Sequence, residues 1–96
     1  MSKAKGKLRH LAISVPDPDK AAEFYMSAFG MEKVTSVKAD MADGVYLTDG
    51  TINVALLRYK DDRPMGDGKT KDWFGVHHFG FWVDDVETTK TQIEEA

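Results

Sequence analysis

The chain begins with a period-two pattern of apolar and polar positions. Over residues 7–15 large apolar side chains alternate with polar or small ones, which predicts a β-strand. One face of this strand carries large apolar side chains (Leu11, Ile13 and Val15), and the other carries His10, Ala12 and Ser14. We expect the large apolar face to pack against the helix that follows.

A helix is predicted from about residue 17 to residue 29. Asp17 can cap its first turn, Pro18 suits its first position, and Gly30 is a good C-cap. The apolar side chains at helical spacing form its predicted buried stripe: Ala21, Phe24, Tyr25 and Ala28.

Four further strands and a second helix follow. The strands are predicted at 31–38, Val45–Thr48, Thr51–Tyr59 and about Phe74–Val83, and the helix at about 85–96. Asp43-Gly44 is predicted to form a tight hairpin turn between the second and third strands. Residues 60–72 are charged and contain Pro and Gly, which indicates a loop. The element order predicts an α+β fold, strand–helix–strand–strand–strand and then strand–helix.

One segment of the chain occurs twice. Residues 77–96 match residues 9–28, so that His10 aligns with His78 and Asp17 with Asp85. Such a repeat indicates two copies of one structural unit. We therefore predict a first module over residues 1–59, a linker over 60–72 and an incomplete second module over 73–96. The second module lacks three strands. Either the chain is a fragment of a longer protein, which a helix ending without a capping glycine favours, or it assembles with a second copy.

The composition narrows the classes of function. The 96 residues carry a net charge of −3 with both signs interspersed, which makes nucleic acid a poor partner. No apolar run approaches the roughly 20 residues that span a bilayer, and the start lacks a signal-peptide core, so a cytoplasmic protein without a membrane partner is expected. Without cysteine, any metal ligands must be nitrogen or oxygen atoms.

Two histidines occupy equivalent positions of the repeat. His10 and His78 each lie on the strand face opposite the large apolar side chains, where they could converge on one divalent metal ion. The alternative is that two histidines so far apart are unconnected. Strand parity places Trp82 on the face of His78, as a candidate pocket residue, and directs Phe79 and Phe81 inward. It also turns His77 toward the helix, as a hydrogen-bonded structural residue.

These segments together resemble a known superfamily. HLAISVPDPDKAAEFY and the later HHFGFWVDD look like the glyoxalase/bleomycin resistance/dioxygenase superfamily, the vicinal oxygen chelate fold, whose unit is a βαβββ module. The resemblance implies that paired modules hold a divalent metal ion (Fe, Mn, Zn, Ni or Co), with His10 and His78 as two of the ligands. It also implies a carboxylate on the fourth strand of the first module, where this chain has Ala55. The matching carboxylate of the second module would lie beyond Ala96.

The resemblance also implies a pocket for a small-molecule ligand. By strand parity Asn53, Ala55 and Leu57 share the concave face, and with Trp82 they are the predicted substrate-pocket residues. No residue is an evident general base, so the catalytic residues stay unassigned.

Three functions remain open at this point. The first is a metal-dependent enzyme acting on a small vicinal-oxygen substrate, as a lyase, isomerase or dioxygenase. The second is a non-catalytic module that binds a small molecule, as bleomycin-resistance proteins do, and the absent carboxylate favours it. The third is a fragment without activity. We also expect a homodimer, because one open sheet would expose its edge and apolar residues such as Ala55, Leu57, Val45 or Leu47.

Overall fold

The computed structural model describes residues 4–96; the first three residues of the predicted first module lie outside this part. Five strands and two α-helices follow one another. In chain order they are β1 (Gly6–Ser14), α1 (Pro18–Phe29), β2 (Glu32–Lys38), β3 (Ala42–Thr48), β4 (Asn53–Tyr59), a 3₁₀ turn (Arg63–Met65), β5 (Gly75–Val83) and α2 (Val86–Glu95). The predicted α+β class and element order are confirmed.

The five strands form one sheet in the order β2-β3-β4-β1-β5. β1 lies parallel to β4, with His10 opposite Asn53 and Ala12 opposite Ala55. β5 runs antiparallel along the other side of β1. The two strands that carry the repeated histidines are therefore neighbours, which the parity argument alone could not establish.

α1 packs on one face of the sheet. The core there consists of buried side chains from the helix and the central strands, Ala22, Val45, Leu47 and Leu56, with Ile13 and Val15 packed against them. The predicted orientation of the first strand is thus confirmed for Ile13 and Val15, whereas Leu11 is not part of this core. The predicted helical stripe is partly wrong, because Phe24 and Ala28 are exposed and Ala21, Ala22, Tyr25 and Met26 face the sheet instead.

The opposite face of the sheet is covered by the segment after β4. Met65, on the 3₁₀ turn, is only 4% exposed and packs in a second core of small and aromatic side chains: Ala12, Ala42, Ala55, Leu57 and Tyr59, with Tyr46 and Trp73 at its margin. Arg58 holds the segment down by donating to the carbonyl oxygen of Lys71 at 2.6 Å and to Asp72 at 2.7 Å. The expectation that Ala55 and Leu57 are exposed is wrong for this reason, and Val45 and Leu47 lie on the α1 face.

The predicted turn at Asp43-Gly44 is also wrong. Both residues lie inside β3, and the chain reverses at residues 39–41, where the Ala39 amide donates to the carbonyl oxygen of Ala42 at 3.0 Å. A Cβ atom at Gly44 would stand 2.5 Å from the carbonyl oxygen of Leu56 on β4. The glycine therefore permits close approach of two strands rather than a turn.

The second copy of the repeat has the same local structure but little packing. α2 is capped by Asp85, whose carboxylate accepts from the Thr88 amide at 3.0 Å, yet none of the residues of α2 is buried. Phe79 and Phe81, expected to pack inward, are 62% and 60% exposed. Within residues 4–96 no strand follows α2 that could cover them.

Candidate functional site

The side chains of His10 and His78 meet between β1 and β5. Their Nε2 atoms are 3.3 Å apart and the ring centroids 5.2 Å apart. The strand register places Ala12 opposite His78 and Gly80 opposite His10. A Cβ atom at Gly80 would lie 3.5 Å from that of His10, so the glycine leaves the space beside the His10 ring open. The structure therefore brings together the two residues that the repeat predicted as a pair.

The separation of the two Nε2 atoms fits two ligands of one metal ion. Imidazole nitrogens bind Zn²⁺ at about 2.0–2.1 Å, and two such ligands at a tetrahedral angle stand roughly 3.3–3.4 Å apart. The observed 3.3 Å matches this separation. Among residues 4–96, however, no group of three histidine or acidic side chains could hold a metal ion. The pair accounts for two ligand positions, and the remaining ligands would have to come from water, substrate or another chain.

Ala55 stands where the resemblance implies a carboxylate ligand. It pairs with Ala12 on β1 and is almost fully buried beneath Met65. A methyl group there cannot bind a cation. The site in this chain therefore consists of two imidazole rings next to buried apolar side chains, without a carboxylate.

His77 lies beside the pair and not on the helix side, so its predicted orientation is wrong. The register between β1 and β5 shifts between Ala12 and Ile13, which pair with His78 and Val76 and leave His77 without a partner. Such a β-bulge inserts one residue and cancels the alternation of faces. The rings of His77 and His78 consequently touch, with their Nδ1 atoms 2.8 Å apart. The part of the prediction that made His77 a hydrogen-bonded residue agrees with its contacts to Tyr59 and Pro64.

The environment of His78 favours its neutral form. Partial burial lowers the pKa of His78 below the ordinary 6.5, and positive charge on His77 or His10 would lower it further. A neutral imidazole is the form that binds metal ions.

The predicted pocket residues lie in three places. Ala55 and Leu57 belong to the core under Met65, whereas Asn53 is partly buried next to His10 across the parallel ladder. Trp82 is 53% exposed and lines a cleft of about 410 Å³ further along β1 and β5. The assignment of these four residues as one substrate pocket stays a prediction.

Sequence reasoning missed the cations of this cleft. Lys5, Lys7 and Arg9 line it together with Trp82 and Asp84. None of the three makes an ion pair within residues 4–96. Alternation alone could not reveal this cleft, because Lys7 and Arg9 have the parity of Leu11. A register shift between Leu8 and His10 brings Lys7 opposite Trp82.

Comparison with known proteins gives a family. The model of the glyoxalase/bleomycin resistance protein/dioxygenase superfamily matches residues 7–96. The chain belongs to this superfamily. Its members often use a divalent metal ion. The resemblance read from the repeated segments is thereby confirmed.

Two of the similar proteins are named as epimerases. The ethylmalonyl-CoA/methylmalonyl-CoA epimerase of Cereibacter sphaeroides is 30% identical over 101 residues, which cover 95% of this chain and 71% of that protein. The mitochondrial methylmalonyl-CoA epimerase of Bos taurus is 29% identical, and the match covers 94% of this chain and 54% of that protein. The chain thus spans little more than half of the bovine relative.

Solved structures show the same fold. A variant of Streptomyces coelicolor methylmalonyl-CoA epimerase, in complex with 2-nitronate-propionyl-CoA, superposes with a TM-score of 0.74 at 24% identity. That match covers 93% of this chain and 68% of the other. A methylmalonyl-CoA epimerase in complex with methylmalonyl-CoA and NH4+ gives a TM-score of 0.72 at 23% identity, covering 94% of this chain and 69% of that one. No helix within residues 4–96 is both long and apolar enough to cross a membrane.

Proposed function

We propose that this chain contributes two metal-binding histidines, His10 and His78, to an isomerase that acts on a small acyl-CoA thioester of the malonyl type. The observation that carries the proposal is the 3.3 Å separation of the His10 and His78 Nε2 atoms. The epimerase names of the relatives favour isomerisation over lyase or dioxygenase chemistry.

The two histidines hold and orient the reacting end of the substrate. A divalent ion bound there would act as a Lewis acid toward the thioester and carboxylate oxygens, which makes the hydrogen on the carbon between them more acidic. Asn53, next to His10 in the parallel ladder, lies within the same region of the sheet face. Residues 4–96 place no acidic side chain with the histidine pair, so the chain by itself has no evident carboxylate base for that hydrogen.

The cationic cleft suits the other end of such a substrate. Lys5, Lys7 and Arg9 offer positive charge to phosphate groups, and the exposed ring of Trp82 offers a surface on which a base can stack. The cleft and the histidine pair lie along the same two strands, which favours an elongated ligand with an anionic portion.

A second function is favoured by Ala55. Because the fourth-strand position lacks a carboxylate, the same surface would also suit a binding module that holds a small molecule without chemistry. The homodimer, the cytoplasmic location and the division into modules at residues 59 and 72 stay predictions.

The experiment is hydrogen exchange at the substrate carbon. The chain is incubated in D₂O with methylmalonyl-CoA, with Co²⁺ or with a chelator, and deuterium at the carbon between the two carbonyl groups is followed by mass spectrometry. We expect Co²⁺-dependent exchange above the rate without protein, and a loss of about tenfold or more in His10→Ala and His78→Ala. A control variant on the opposite face of β1 is Leu8→Ala, since a register shift between Leu8 and His10 pairs Leu8 with Phe81. It should exchange like the native chain.

Two results separate the alternatives. Saturable binding of methylmalonyl-CoA without Co²⁺-dependent exchange would favour the binding module. The absence of both binding and exchange would contradict both functions for this chain.

A further inference from the structure

The hydrogen bonds of His77 have only one consistent direction when the rings are neutral. Its Nε2 atom lies 2.6 Å from the carbonyl oxygen of Pro64. A carbonyl oxygen only accepts, so this nitrogen carries the proton. The Nδ1 atom of a neutral His77 is then an acceptor.

His78 must therefore donate to His77. The two Nδ1 atoms are 2.8 Å apart, and two unprotonated nitrogens at this distance would repel. The Tyr59 hydroxyl, 3.1 Å from the same Nδ1 atom of His77, is a second donor to it. With its proton on Nδ1, His78 has a lone pair on Nε2, the atom that faces His10 at 3.3 Å.

We propose that His77 is a positioning residue that holds His78 in the Nδ1–H tautomer and so aims the lone pair of its Nε2 atom at the metal position. The use of that lone pair rests on the proposed function, whereas the tautomer is a property of the chain itself. The arrangement corresponds to the outer hydrogen bond that metal-binding histidines make through their other ring nitrogen.

The β-bulge at His77 and the segment after β4, which carries the 3₁₀ turn, make this arrangement possible. Regular alternation would send His77 to the other face of β5, and the register shift brings it beside His78. The Pro64 carbonyl that fixes the proton of His77 belongs to the 3₁₀ turn, which is anchored by buried Met65. Residues 63–65 thus act on His78 through His77.

The pair is also asymmetric. Without a metal ion, His10 can donate from its Nε2 atom to the lone pair of His78. To bind a shared ion, His10 must move that proton to Nδ1, while His78 needs no change. We therefore expect the metal ion to change the tautomer of His10 and to leave that of His78 as it was.

The test is long-range ¹H–¹⁵N correlation NMR on the chain labelled with ¹⁵N-histidine, at about pH 8 where imidazoles are neutral. We expect His77 as the Nε2–H tautomer and His78 as the Nδ1–H tautomer in the metal-free chain. In His77→Phe, which keeps a ring and removes both nitrogens, we expect His78 to lose this preference. Finding His78 as Nε2–H in the native chain, or unchanged in a folded His77→Phe, would overturn the proposal.

Two further variants separate positioning from support of the fold. His77→Gln retains an amide oxygen that can accept from His78, and it should keep the Nδ1–H tautomer at least in part. Tyr59→Phe removes the second donor only and should leave His78 unchanged. Titration with Co²⁺, followed by its absorption spectrum, should show about tenfold weaker binding in His77→Phe and recovery in His77→Gln. If Co²⁺ does not bind at all but the tautomers are as expected, the proposed function fails and the role of His77 in setting the tautomer stands.

Discussion

The two copies of the repeat share their local structure and differ in what covers it. Each has a strand, an aspartate cap and a helix, and the cap carboxylates of Asp17 and Asp85 accept amide hydrogen bonds of 3.1 and 3.0 Å. The first copy packs α1 against β3 and β4. The second leaves Phe79, Phe81 and the apolar side of α2 open, in a groove of about 630 Å³.

This difference shows which part of the structure is local. Strand alternation and capping act over a few residues, so they arise in both copies. Burial depends on strands far along the chain, and only the first copy has them. Both cores therefore lie on the sheet of the first copy, with Met65 of the following segment closing one of them. The second copy contributes β5 to the sheet and His78 to the site.

The largest effect should come from exchanging the residues at one repeat position. Ala22 is 3% exposed between α1 and the sheet, and its equivalent on α2 is Lys90. Ala22→Lys would force a charged, longer side chain into the core and should lower the free energy of unfolding by about 3 kcal/mol or more. Lys90→Ala should change it by less than about 0.5 kcal/mol, because the Lys90 side chain is exposed.

Urea denaturation followed by far-UV circular dichroism measures both changes. A clear loss of stability in Lys90→Ala would contradict the comparison, since it would mean that α2 packs against the chain after all. Equal, small effects in both variants would mean that α1 is not a core helix.

An intermediate effect is expected one helical turn further on. Tyr25 packs against the core under α1, while its repeat equivalent Ile93 is 70% exposed. Tyr25→Ala should cost about 2 kcal/mol, less than the 3–5 of a fully buried aromatic residue, and Ile93→Ala should be close to neutral. Thermal unfolding of the two variants beside the native chain gives the measurement. If Ile93→Ala destabilises as much as Tyr25→Ala, the open groove is covered in solution, as it would be in the predicted homodimer.

The sequence predicted what depends on short patterns. The strand face of His10, the capping by Asp17 and Asp85 and the pairing of His10 with His78 all follow from alternation and from the repeat. The orientation of His77 could not be predicted, because a bulge shifts parity without a mark in the sequence.

Two further errors have the same origin in long-range contact. Gly44 follows an aspartate, and this pair is a local turn signal. Its actual role is to allow close approach to Leu56, which depends on the pairing of β3 with β4. Met65 resembled part of a polar linker because one apolar residue gives no periodicity, although it closes the core over Ala55 and Leu57. In each case the deciding partner lies outside the window that a local pattern covers.

The smallest effect expected is a pH dependence that arises at His78 in the second copy. Its pKa is lowered in the folded chain, first by burial and then by His77 and His10, whereas the unfolded chain keeps the ordinary value of about 6.5. As the pH falls below that value, the unfolded state takes up the proton first, so the stability decreases until the folded state is protonated as well. Above it, both states are neutral and His78 contributes no slope. The melting temperature of the native chain, measured from about pH 8 to pH 5, should therefore fall more steeply than that of His78→Gln. His10→Gln removes only the last of the three causes and should give an intermediate slope. Parallel curves for native chain and His78→Gln would show that the folded environment does not disfavour the charged form of His78.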